Sequence, residues 1–226
     1  MRLIERLKSN KMTLIVSLPQ NTLELALAAV NGGADAIKVH TNVFHRASGN
    51  RFPRLIEQVD ILEEIVRKVN IPVGIVPGGD ESCIEKEEIK ILKDIGFDFI
   101  SMFVHHMPLY IYKSGLTIMS AITRDYTIDE IKTLNYLNVD IIEADMLPDD
   151  KSDTIHLADL MRYREIVECV NKPVVVPTQR IILPEEVEDL YNIGAKGFMI
   201  GAVVTGNNPE QVEKATSEYR KAINRL

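Results

Sequence analysis

The sequence predicts a single α/β domain over residues 1–226, a closed (β/α)8 TIM barrel, on three observations. Apolar runs of strand length recur eight times. Amphipathic stretches with helix start and stop signals separate them. The length of 226 residues suits a compact barrel. An open doubly wound sheet usually has fewer strands, and its early glycine fingerprint for nucleotides is missing here.

In order, the strand runs are TLIVSL, DAIKVH, PVGIVP, DFISMFV, LTIMSAI, VDIIEADM, PVVVP and KGFMIGAVV. Helical stretches between them include NTLELALAAVNGG, LIEQVDILEEIVRKV, KEEIKILKDIG, TIDEIKTLNYLN and LPEEVEDLYNIG. Asn21 and Thr127 are expected N-caps, and Pro184 suits a first helical position. Gly33, Gly96 and Gly194 follow last turns as C-terminal stops. A short helix over Leu3 to Leu7 is expected to cover the bottom of the barrel.

Hydrophobic residues make up 46% of the chain and charged residues 26%, the balance of a soluble globular protein with a sizeable core. A net charge of −7 argues against general nucleic-acid binding, which needs basic stripes, but leaves room for a local anion pocket. Cys83 and Cys169 lack metal-ligand spacing and read as idle thiols in a reducing compartment. The start, MRLIERLKSNKM, lacks a signal-peptide apolar stretch, and no run approaches the roughly 20 residues that span a bilayer. The expected location is the cytoplasm, with no membrane or nucleic-acid partner and a homodimer as one open state.

In such a barrel, chemistry belongs at the strand C-termini and the loops after them. Three loops are long: VFHRASGNRFPR after the second strand, HHMPLYIYKSG after the fourth and LPDDKSDTIHL after the sixth. The first holds His45, Arg46, Arg51 and Arg54, with Gly49 to bend it. It reads either as a lid closing on an anion or as a solvated loop that ties to a neighbouring subunit.

Strand alternation sorts the ionisable residues. Ile37 and Val39 face the helices, so Lys38 and His40 point into the lumen, with Asn42 beyond them. Ile142 and Ala144 face outward, so Glu143 and Asp145 point inward. Ser101, Phe103 and His105 make the inward set of the fourth strand, and His106 follows. Lys38, His40, Glu143 and Asp145 would face one another across the mouth. One reading is a Lys38–Glu143 salt bridge that fills the barrel top. The other is a catalytic set whose members perturb each other's pKa.

Three roles are open for that set. A carboxylate and a histidine can move a proton next to a carbonyl. Lys38 can form a Schiff base. His40, Glu143, Asp145 and His105 can hold a divalent metal, although no close ligand pair such as HxxxH sits on a helix. No other cofactor is implied.

The ends of strands seven and eight suit a phosphate. Gly201 and Ala202 offer backbone N–H groups, Gly206 gives an exit, and Thr178, Gln179 and Arg180 supply polar partners. The plain alternative is that Gly201 turns the chain and Arg180 caps the barrel. Ser17, Gln20, His105, Arg46 and Arg51 complete the expected ligand contacts.

Over most of its length the chain resembles the bacterial N-acetylmannosamine-6-phosphate 2-epimerases, among the small phosphate-binding TIM barrels. LIVSLPQN, GADAIKVHTN, IPVGIVPGGD, IGFDFISMF, NVDIIEADM, RIILPEE and GAKGFMIGAVVT carry the resemblance through their order and spacing. The family's catalytic lysine falls at Pro77, its fourth-strand aspartate at Phe103, and its glutamate after strand seven at Pro177 to Gln179. Arg180 and the Gly201 turn persist, and Lys38 stands where the family carries an arginine. Glu143 and Asp145 replace small or neutral residues. The resemblance implies the fold and a phosphorylated ligand, and the mouth residues leave three functions open. These are acid–base isomerisation or epimerisation, a Schiff-base or metal-assisted carbon–carbon lyase, and a non-catalytic phosphometabolite sensor.

Overall fold

A computed structural model of the protein describes residues 1–9, 12–79, 82–146 and 154–226. Eight parallel strands close into a barrel in chain order: β1 (Thr13–Ser17), β2 (Ala36–His40), β3 (Val73–Val76), β4 (Phe99–Phe103), β5 (Thr117–Ile122), β6 (Ile141–Ala144), β7 (Val174–Pro177) and β8 (Gly197–Ile200). Each of the eight runs expected from the sequence supplies one strand. The β1–β8 pairing closes the barrel, with Thr13 opposite Gly197 and Val16 opposite Ile200.

Alternation divides each strand between two cores. Leu14, Val16, Ile37, Val39, Ile100, Ile142, Val176 and Phe198 face outward and are buried against the helices. Ile15, Ala36, Phe99, Met119, Ile141, Val175 and Met199 fill the lumen floor. The helix α1 (Leu3–Leu7) plugs that floor from below with Leu3 and Leu7, both fully buried. Asp98, which precedes β4, accepts the Leu3 backbone N–H at 2.8 Å, and Arg6 pairs with Asp35 at 3.2 Å. Gly74 of β3 is required by packing. A Cβ there would sit 2.1 Å from the Phe99 ring, so Phe99 occupies the volume that a β3 side chain would need.

The helix signals hold with one exception. Thr127 caps α6 (Ile128–Thr133) by accepting the Glu130 N–H, with Glu130 reaching back to complete the capping box. Gly33, Gly96 and Gly194 have positive φ where helices end. The N-cap of α2 (Leu23–Asn31) is Thr22, not Asn21. Asn21 instead donates to the His40 carbonyl at 2.6 Å and to Gln58 at 2.8 Å, tying the α2 entry to the end of β2.

The loop after β2 is not irregular. It folds as an antiparallel hairpin, Val43–His45 with Asn50–Phe52. Asn42 enters it with φ 54, a left-handed conformation that asparagine tolerates, and its side chain donates to the Pro77 carbonyl at 3.1 Å. Arg54 belongs to the start of α3 (Leu55–Lys68) rather than to a lid: it is the N-cap, and its N–H donates to Glu57. Most of the long loop after β6, residues 147–153, lies outside the described residues. Among the described residues no helix is long and apolar enough to cross a membrane.

Candidate functional site

Strand registers set the side chains of the lumen in layers, as barrel shear requires. Following the Cα partners round the barrel puts Lys38, Ser101, Glu143 and Met199 at one level. Above them come Ser17, Val76, Ala121 and Pro177, and then His40, Phe103, Asp145 and Gly201 at the mouth. The polar residues thus occupy the upper levels, above an apolar floor.

The lower polar level is closed on itself. Lys38 Nζ lies 3.1 and 3.2 Å from the two carboxylate oxygens of Glu143. Ser101 donates its hydroxyl to Glu143 Oε2 at 2.6 Å. All three side chains are buried. Each carboxylate oxygen of Glu143 therefore has a donor, which is what keeps a buried charge tolerable.

The mouth level is less settled. Asp145 is half-buried, and its carboxyl is pushed up to about 7, first by burial and then by the Glu143 charge, against opposing pulls from Lys38 and Arg46. His40 is 3% exposed. Its imidazole is held well below the usual histidine range by burial, then by His45 and Lys38. Its Nε2 is 3.4 Å from the Ser17 hydroxyl, and its Nδ1 has no hydrogen-bond partner among the described residues. The hairpin lies over it, with the His45 ring 4.5 Å and the Phe52 ring 4.8 Å from the His40 ring.

His45 was absent from the expected catalytic set, and the hairpin is the reason it reaches the site. Its pKa is lowered to about 4 by burial and by Lys38, against Glu143. The usable signal is the two short runs VFH and RF around a Ser-Gly turn, which reads as a hairpin. Of the loop arginines, Arg46 is exposed but close enough to act on Asp145. Arg51 points away, its guanidinium 5.8 Å over the Phe44 ring.

His105 is not an inward strand residue. β4 ends at Phe103, and a 3-10 turn over Val104–His106 breaks the alternation. His105 is exposed on the rim, stacked on Phe103 at 5.4 Å, with its Nδ1 3.1 Å from the Tyr126 hydroxyl. Gln20 is also exposed. Among the described residues no group of three His, Cys, Asp or Glu side chains converges closely enough to hold a metal ion.

The residues expected at a phosphate divide into two groups. Gly201 lies beside Ser17 at the mouth, and a Cβ on Gly201 would stand 3.6 Å from the Ser17 Cβ, an ordinary van der Waals contact. The Gly201 N–H donates to Thr178 Oγ1 at 3.1 Å. In the short helix α9 (Ala202–Thr205) the backbone ladder starts with the Val204 and Thr205 N–H groups on the Gly201 carbonyl, so it does not use the Ala202 N–H. Arg180 faces elsewhere. It is 4% exposed, donates to the Thr154 carbonyl at 3.1 Å, and lies 2.8 Å from His156 Nδ1 and 3.6 Å from Asp159. It pins the entry of α7 (Leu157–Cys169) to the β7 loop. Gln179 is half-buried beside it.

No family model matches the chain, and no curated protein matches it. Solved structures do. The tryptophan synthase A-subunit from Pyrococcus furiosus superposes with a TM-score of 0.76 at 16% identity, over 95% of this chain and 99% of that one. Thiamine phosphate pyrophosphorylase from Pyrococcus furiosus gives 0.66 at 19% identity, over 96% and 97%. A protein from Aquifex aeolicus VF5 gives 0.70 at 13% identity, over 98% and 99%. At these identities the likeness shows the (β/α)8 fold alone.

Proposed function

We propose that the protein is an enzyme that moves a proton on a small phosphorylated metabolite, a sugar phosphate in the simplest case, bound at the C-terminal mouth of the barrel. One observation carries this reading. Asp145, at the mouth and two residues beyond Glu143 on β6, has a carboxyl pushed up to about 7 by burial and the Glu143 charge, within the field of the Lys38 cation that Glu143 holds. A base poised near neutrality next to a fixed positive charge is what abstraction of a proton beside a carbonyl needs. Asp145 is the base in this reading, and Lys38 stabilises the enolate oxygen. Glu143 and Ser101 hold Lys38 in place.

The phosphate would sit at the Gly201–Ala202 turn beside Ser17 and Thr178, where the Ala202 N–H is unused by its helix. The resemblance to the N-acetylmannosamine-6-phosphate 2-epimerases supports the phosphate but not the reaction class, because Pro77, Phe103 and Pro177 to Gln179 stand at that family's catalytic positions. The names of two structural neighbours, a thiamine phosphate pyrophosphorylase and a tryptophan synthase subunit, add only that barrels of this shape serve as enzymes. The Schiff-base reading is weaker, because a lysine ion-paired at 3.1 Å serves as a fixed cation rather than as an amine nucleophile.

A second reading has its own observation. The Lys38–Glu143–Ser101 level is hydrogen-bonded to itself, as a purely structural filling would be. A non-catalytic phosphometabolite sensor fits that. A thermal-shift screen of sugar phosphates, with and without magnesium, followed by product analysis and borohydride trapping, separates the three. Turnover lost in Asp145→Asn supports the enzyme. Stabilisation without turnover supports the sensor. A trapped Lys38 adduct supports the lyase.

A further inference from the structure

Two histidines stand at the mouth, and the alternation of β2 directs attention to His40. Geometry favours the other. His40 is 3% exposed and covered by the rings of His45 and Phe52, at 4.5 and 4.8 Å. A ligand entering from solvent meets the hairpin before it meets His40.

His45 is half-buried on that hairpin. Its Nδ1 is engaged by the Ser48 hydroxyl at 2.8 Å, which leaves Nε2 as the ring nitrogen with no partner among the described residues. The ring lies close enough to the buried pair to feel both Lys38 and Glu143. The hairpin that carries it is fixed at both ends. Asn50, paired with His45 across the turn, donates to the Pro19 carbonyl at 2.9 Å at the end of β1. At the hairpin's base, Ser82 donates to the Asn42 carbonyl at 2.9 Å. Such anchoring places one side chain reproducibly, as a functional group requires.

We propose that His45, delivered over the mouth by the Val43–Phe52 hairpin and oriented by Ser48, is the imidazole that contacts the ligand, and that His40 is a positioning residue beneath it. This rests on the proposed function for the site itself. The group it would contact is an oxygen, hydroxyl or enolate, held between Lys38 and the His45 ring. Ser48 orients the ring through Nδ1 and leaves Nε2 toward that oxygen; in the tautomer where the hydroxyl donates to Nδ1, Nε2–H is the donor.

Diethyl pyrocarbonate, which acylates accessible neutral imidazoles, tests this with the full chain at pH 7.5 and peptide mass mapping. The first arm needs no ligand. We expect His45 to be labelled at least about tenfold faster than His40, and equal rates or faster labelling of His40 would overturn the proposal. The second arm adds N-acetylmannosamine 6-phosphate and fructose 6-phosphate, each also scored for a melting-temperature shift. Protection of His45, with the exposed His156 labelled as before, supports the proposal. A compound that raises the melting temperature yet leaves His45 labelling unchanged overturns it. If neither compound shifts the melting temperature, the sugar-phosphate reading fails instead, and the first arm decides the role of His45.

Discussion

Replacing Glu143 by leucine leaves Lys38 charged, buried and without its carboxylate. At the observed 3.1 Å separation the gross attraction lost is about 5 kcal/mol for an effective dielectric of roughly 20. The charge-assisted bond from Ser101 at 2.6 Å is lost with it. Breaking a buried pair from one side typically costs about 3–5 kcal/mol, because the remaining charge stays desolvated. Glu143→Leu should therefore lower the unfolding free energy by that amount. The double variant Lys38→Met/Glu143→Leu removes the desolvation cost as well, and should recover all of the loss or exceed wild type by about 1–4 kcal/mol. Urea unfolding at pH 7.5, with matched m-values, reads both. Recovery of stability together with loss of turnover would mean that the pair is kept for chemistry at the expense of stability. A single variant within about 1 kcal/mol of wild type would refute the buried pair. A double variant as unstable as the single would refute the desolvation argument.

The Asp145 carboxyl at about 7 lies above its unfolded value of 3.8, so the folded state holds the proton over a range where the unfolded chain has lost it. Its contribution to stability is full below about 4 and falls as pH rises to about 7, by about 4 kcal/mol in all; Asp145→Asn should flatten this slope in urea titrations across that window. His45, lowered from 6.5 to about 4, acts in the opposite sense: its contribution is present above 6.5 and is lost as pH falls toward 4, so His45→Gln should protect the protein from acid in that window. As a general base Asp145 should give kcat/KM a rising limb near pH 7, and Asp145→Asn should cost about 10²–10⁴-fold. Gly74→Ala places a methyl 2.1 Å from the Phe99 ring and should destabilise by at least about 1–3 kcal/mol, with Phe99→Leu in the same chain relieving part of it. Arg180→Met should raise proteolytic cleavage near Thr154 without altering phosphate affinity, because the guanidinium serves the α7 entry.

The barrel was legible because its signals are local and repeated. Each strand run is bounded by turn residues, and the period of two assigns the lumen side chains of β2 and β6 and, as far as Phe103, of β4. That same rule placed Lys38 opposite Glu143 across the barrel. It failed where the backbone leaves the strand. A 3-10 turn after Phe103 carries His105 to the rim, and nothing in FISMFVHH marks where the extended backbone stops. It also failed for Arg180, whose direction is decided by His156 and Asp159 on a helix more than twenty positions away. The hairpin gave a readable sign in its Ser-Gly turn, but its docking over His40 depends on tertiary contacts with Pro19 and Pro77 that no local pattern records.

Exchange of solvent deuterium into a bound sugar phosphate, followed by proton NMR, tests the central claim most directly. It detects proton abstraction even when no net product forms. The account predicts exchange at the carbon beside the carbonyl with wild-type protein, and its loss in Asp145→Asn and Lys38→Met variants that still bind the compound. Binding without exchange in the wild type, or equal exchange in both variants, would contradict it.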